Sequence, residues 1–155
     1  MRHLLFIVLF IGINIDSKSQ ELTSVQKDKI SSEINALFEK SIKSGENLDI
    51  SAITGNVNDT LKTGFIDNGY YFSTFNEVIK GFNKGVKGCK SQKMEIINKK
   101  LTILSDKIVL LTAFGNYSAT LDDGRILNGK FAWTFVYSKI NDTWKVIHSH
   151  MSNPR

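Results

Sequence analysis

The sequence predicts an α+β domain, and three observations carry that prediction. Apolar residues recur at three-and-four spacing over residues 30–42 and again over 75–82, the signature of one buried helix face. From Ser91 onward the pattern changes to four stretches rich in β-branched and aromatic residues, separated by short polar turns. Between the two helical regions, Asp67-Asn68-Gly69 separates two short apolar runs, and an Asn-Gly step tolerates the positive φ values of a tight hairpin. A chain of 155 residues, 41% hydrophobic and 10% aromatic, suits one domain with one core. With a single proline and no repeat, no linker divides it.

Residues 1–19 read as a cleavable signal peptide. Arg2 supplies the positive start, Leu4 to Ile13 the apolar stretch, and Ser17 and Ser19 the small side chains before a cut that leaves Gln20 first. The apolar run stops at Asn14 and Asp16, after about ten residues, whereas a membrane span needs roughly 20. The expected protein is therefore secreted or periplasmic, free of the membrane after cleavage, with its domain over residues 20–155. No cysteine follows the apolar stretch to accept a lipid.

Ile30, Ile34, Leu37, Phe38 and Ile42 mark the first helix, which Thr23 and Gln26 open as a capping box and Gly45 is placed to stop. A shorter helical piece is expected around Leu48 to Ile53, ending at Gly55. The hairpin strands are expected at Leu61 to Ile66 and Tyr70 to Phe72. Thr74 and Glu77 then open a helix carrying Phe75, Val78, Ile79 and Phe82, closed by Gly85 and Gly88. Four strands follow, at Met94 to Leu104, Ile108 to Thr120, Ile126 to Ser138 and Thr143 to Ser152. Long strands with short turns describe an antiparallel meander, and the amphipathic helices are available to cover one face of it. On the second strand Val109, Leu111 and Tyr117 share one face while Ile108, Leu110 and Phe114 share the other. Both want burial, so a homodimer through the second face is expected.

The formal net charge is +5, lowered by one when Arg2, Lys18 and Asp16 leave with the leader. The lysines are scattered and lack interleaved arginine and aromatic residues, which argues for a solvated surface and against a nucleic-acid partner. Cys89 is the only cysteine, so no intramolecular disulfide forms. Asn58, Asn116 and Asn141 begin glycosylation-type triplets, a short pattern that chance produces often.

The C-terminal segment Gly129-Lys130-Phe131-Ala132-Trp133-Thr134-Phe135-Val136-Tyr137, followed by Trp144-Lys145-Val146-Ile147-His148-Ser149-His150-Met151-Ser152, resembles the closing hairpin of SnoaL-like proteins of the nuclear transport factor 2-like superfamily. There an aromatic strand, a polar turn and a Trp-x-Val/Ile-x-His-x-His-x-Ser strand commonly end the sheet. The resemblance implies a cone-shaped, curved antiparallel sheet packed against N-terminal helices, the cystatin-like cone. It also implies a pocket inside the cone and frequent dimerisation through the sheet.

Chemistry is less legible. His148 and His150 share a strand face with Trp144 and Val146, because side chains two apart point the same way, and two histidines at that spacing can ligate one metal. A metal site needs three or four ligands, and no partner set declares itself, so neither metal nor cofactor is expected. Asp49, Asp59, Asp67, Asp106, Asp122, Asp123 and Asp142 all fall at expected turns or element ends, where caps and turn bonds explain them. The superfamily includes isomerases, dehydratases and hydrolases, which need an acid or base in an apolar cavity. Here His148 as base, with Tyr117 or Tyr71 as acid, is the alternative reading. The first is a non-catalytic domain that binds a small, partly apolar ligand or serves as a dimeric module, with Tyr71, Tyr117, Trp133, His148 and His150 as the ligand-binding candidates.

Overall fold

The structure, a computed structural model, describes residues 21–153; the expected leader and its cleavage point lie outside them. Helix α1 spans Ser24–Glu46 and buries Ile30, Ile34 and Phe38. Its capping box is formed: the Gln26 N–H donates to the Thr23 hydroxyl at 3.3 Å, and the Thr23 N–H to Gln26 Oε1 at 2.9 Å. The helix continues through Gly45, and Leu48 at φ 57° makes the left-handed turn that ends it. Gly45 lies against the sheet, where its carbonyl accepts from the Gln92 side-chain amide.

Helix α2, Ile50–Thr54, is capped by Asp49, whose carboxylate accepts from the Ala52 N–H at 3.0 Å. Strands β1, Phe65–Asp67, and β2, Tyr70–Phe72, pair through the Asn68-Gly69 turn, both of whose residues have positive φ. The first of these strands is shorter than expected, because Lys62 and Gly64 also take positive φ and break the extended backbone before Phe65. Helix α3, Phe75–Gly85, starts where Glu77 accepts from the Ser73 and Thr74 N–H groups and Asp59 accepts from the Phe75 N–H at 2.9 Å. These bonds satisfy donors that a helix start leaves open.

Strands β3 (Cys89–Ser105), β4 (Ile108–Leu121), β5 (Ile126–Ile140) and β6 (Thr143–Ser152) form the expected meander. The full order is β2-β1-β6-β5-β4-β3. One joint departs from the antiparallel expectation: β1 runs parallel to β6, pairing Ile66 with His150 and Asp67 with Met151, so the curved sheet is mixed. Extra residues at Ile97 and Leu104 in β3 and at Ile147 in β6 interrupt the ladders as β-bulges.

The helices cover one face. Val109, Leu111, Ala113, Tyr137, Trp144 and Val146 pack there with Ile30, Ile34 and Phe38, while Phe65, Phe75, Val78 and Met151 form a second cluster under α3. Phe135 touches both clusters and joins them. A bond of 2.7 Å from the Trp144 indole N–H to Glu33 ties α1 to β6. Val109 and Leu111 face the helices, and Phe114, 47% exposed, stands on the open face.

Candidate functional site

The bulge at Ile147 decides where the histidines point. Tyr137 pairs with Val146 and Val136 with His148, so Ile147 is the extra residue and the alternation of β6 changes phase across it. Trp144 and Val146 face the helices, then Ile147, Ser149 and Met151 do so in turn, all of them buried. His148 and His150 consequently stand on the open face. They share a face with each other, as expected, but not with Trp144 and Val146. The His148 Nδ1–H donates to the Gly64 carbonyl at 2.8 Å, which orients the ring toward the loop before β1.

The five candidate residues therefore divide between two faces. Tyr71 pairs with Ile66, and Ile66 with His150, which places Tyr71, His148 and His150 on the open side. Tyr71 is 67% exposed, and its ring lies over Gly64, where any Cβ would overlap it. Tyr117 and Trp133 face the helices. Trp133 stacks on Phe131 with ring centroids 4.4 Å apart, meets Phe135 edge-on at 6.0 Å, and donates its indole N–H to Asn153 Oδ1 at 3.0 Å. The aromatic file continues to Tyr137, whose hydroxyl is pushed far above its ordinary pKa by burial.

Asp67 is the carboxylate that the sequence reading passed over as a turn residue. It shares a sheet row with Met151, Trp133 and Ala113. Its Oδ1 is buried without a hydrogen-bond partner, and desolvation raises its pKa above the ordinary carboxylate value. The alternation Phe65-x-Asp67, with Phe65 fully buried, is the signal that would have turned it inward.

Among the described residues, the sheet carries the two clefts that bear on the candidates. The larger, 680 Å³, lies where the C-terminal end of α1 meets the broad end of β3 to β5, and its lining includes Glu46, Met94, Glu95, Asn116, Tyr117 and Lys130. Glu46 accepts from the Met94 N–H at 2.9 Å, and Asn116 donates to Glu95 at 3.0 Å. Tyr117 lies across Gly129, where a Cβ would come within 2.5 Å of its ring. The second, 520 Å³, is a groove whose lining includes Lys100, Thr112, Phe114, Thr134, His150 and Ser152. Among the described residues no three His, Cys, Asp or Glu side chains gather as a metal site, and no helix is long and apolar enough to cross a membrane.

Solved structures share this architecture. A nuclear transport factor 2-like superfamily protein from Salmonella enterica serovar Typhimurium aligns with a TM-score of 0.69 at 16% identity, over 86% of this chain and 94% of that one. A hexachlorocyclohexane dehydrochlorinase of type 2 aligns with a TM-score of 0.72 at 10% identity, over 86% and 90%. An uncharacterised protein with a cystatin-like fold from Caulobacter vibrioides gives 0.67 at 13% identity, over 81% and 89%. At such identities the likeness concerns the fold alone. No curated protein matches the chain. The SnoaL-like domain family matches residues 34–155; with its helices and curved sheet in the fold shared with nuclear transport factor 2-like structures, the chain belongs to that SnoaL-like family.

Proposed function

We propose that this chain is an exported SnoaL-like domain that binds a small, partly apolar ligand without transforming it. The observation that carries this reading is the 680 Å³ cleft, a volume suited to a small molecule, in which Met94 and Tyr117 stand beside a few polar groups. Met94 and Tyr117, in one row of the helix-covered face, give affinity, and the Glu46 carboxylate beside them fixes orientation. Of the two expected acid-base pairs, His148 with Tyr117 is divided between the faces, while His148 and Tyr71 both stand at Gly64 on the open face, where the 67% exposed Tyr71 lies outside the cleft and lacks the apolar cavity such chemistry needs. Export rests on the leader pattern of residues 1–19. Native mass spectrometry of protein recovered from its own host tests the reading. A bound small molecule that Tyr117→Ala releases supports it, and a ligand-free protein with no ligand-induced thermal shift across a metabolite panel overturns it.

A second reading has one specific observation in its favour. Asp67, half-buried in the same row as Trp133, has a raised pKa and one buried oxygen without a hydrogen-bond partner, the features of a general base. In this reading the chain is an isomerase, dehydratase or hydrolase that takes its proton through Asp67 and not through a histidine. Turnover of a substrate by the parent that Asp67→Asn abolishes, with folding intact, would replace the first reading by this one.

A further inference from the structure

We infer that the open face of the sheet carries a second binding site, for a small molecule that bears a carboxylate on a flat apolar body. The register places Lys100, Thr112, Thr134 and His150 in one row across β3, β4, β5 and β6. Neighbouring strands lie about 4.8 Å apart, so the row offers hydrogen-bond donors over about 14 Å. The next row is Asn98, Phe114, Ala132 and Ser152. Ala132 is the short side chain there, and beside the 47% exposed ring of Phe114 it leaves the hollow that forms the 520 Å³ groove.

The chemistry of that groove is one-sided. Among the described residues no Asp or Glu lines it, whereas two ammoniums, two threonine hydroxyls, a serine hydroxyl, an amide and an imidazole do; of the two lysines, Lys99 turns its ammonium over the Phe38 ring and Lys100 stays on the open face. Elsewhere on this face polar groups are already engaged: Glu95 accepts from Asn116, and His148 donates to Gly64. Within the row, Lys100, Thr112 and His150 are exposed and Thr134 is half-buried, so their polar atoms are open to a ligand. One ammonium, which can only donate, stands beside hydroxyls and an imidazole that can turn a donor toward the same ligand, with no carboxylate to compete; that set selects an oxyanion, because charge-assisted hydrogen bonds are the stronger kind. Phe114 then supplies a face on which a planar apolar body lies. This site is separate from the cleft at Tyr117 and does not depend on the ligand held there.

Amide chemical-shift titration of the protein with benzoate, benzyl alcohol and inorganic phosphate tests the inference. Benzoate should give saturable shifts centred on Lys100, Thr112, Phe114, Ala132 and Thr134. Phosphate should shift the donor row more weakly, and benzyl alcohol should bind least. Thr112→Val with Lys100→Gln should weaken benzoate about tenfold, the loss of a charge-assisted contact. Both positions are exposed and Val keeps the β-branch, so an unchanged far-UV spectrum accompanies that loss. Equal binding of benzyl alcohol and benzoate, shifts confined to Met94 and Tyr117, no shifts at all, or a two-fold dimer that closes this face to benzoate would each overturn the inference.

Discussion

Replacing Gly115 with alanine tests whether the bend of the sheet is built where the structure puts it. Gly115 pairs with Ile96, immediately before the extra residue Ile97, and Phe131 pairs with it from the other side. A Cβ at this position would overlap the Glu95 carbonyl oxygen and stand 2.8 Å from Phe131 Cζ. The phenyl ring can yield by a small rotation, but the carbonyl belongs to the backbone of β3 and yields only if the strand moves. Overpacking of this kind costs about 1 to 3 kcal/mol, and displacing one ladder hydrogen bond adds about 1 kcal/mol. The expected loss is therefore between about 2 and 4 kcal/mol, read as a fall in the urea midpoint followed by tryptophan fluorescence. Gly81→Ala is the matched control: it lies in α3 with no atom within 4 Å of the new methyl, and it should gain up to about 1 kcal/mol from helix propensity. A Gly115→Ala protein within about 0.5 kcal/mol of the parent would show that β3 and β4 are not in this close approach. It would also remove the bend that stands between the Tyr117 cleft and the Phe114 groove.

Trp133→Ala should cost about 3 kcal/mol in chemical denaturation, because the indole is stacked on Phe131 and bonded to Asn153 yet only half-buried; a loss below about 1 kcal/mol would make it a pocket wall without a packing role. Asp67→Asn should stabilise the fold in a pH-dependent way. The folded pKa of Asp67 lies above the ordinary 3.8, so the stability this group allows is fully present below that value and is lost as pH rises through the raised one. The variant escapes that loss, and its advantage in thermal midpoint should grow from acid toward neutral pH and then level off; a constant offset would refute the buried carboxylate. Intact-mass measurement of protein exported by its host should give a chain beginning at Gln20, and a mass retaining residues 1–19 would withdraw the export proposal.

Elements defined by local chemistry were legible in the sequence. The Thr23 capping box, the Asn68-Gly69 turn and the bounds of β6 stand where the residues put them, since each depends on contacts only a few positions away. What escaped depends on distant partners. Gly45 has the composition of a helix stop, but the helix runs past it to Glu46, its carbonyl is taken by Gln92 from the distant strand β3, and Leu48 makes the left-handed turn. The parallel pairing of β1 with β6 joins residues 84 apart, Ile66 and His150, and no local pattern announces it. Asp67 was hidden by the turn beside it, although its alternation with Phe65 points it inward.

The histidines were misplaced for a reason the sequence does contain. Three of the bulges fall at apolar doublets, Ile96-Ile97, Ile103-Leu104 and Val146-Ile147. A half-buried strand that alternates cannot bury two neighbours, and an extra residue is the way to accommodate both or to release one to solvent. At Ile97 and Leu104 the second residue is released, 55% and 61% exposed, whereas Ile147 is kept, 8% exposed, with the Thr63 hydroxyl bonded to its carbonyl. Deleting Ile147 separates this account from a regular β6. Because Val146 already pairs with Tyr137 and His148 with Val136, removing the residue between them leaves both pairs in register. His150 stays opposite Ile66 and Met151 stays inward. The expected cost is the burial of one isoleucine, about 2 to 3 kcal/mol, with a cooperative transition and the His148 contact to Gly64 preserved in its imidazole resonances. In a regular strand the same deletion would rotate residues 148–152 by one position, turn Met151 out of the α3 cluster and break the joint with β1. A deletion variant that loses cooperative unfolding would therefore refute the bulge and return His148 and His150 to the helix-covered face.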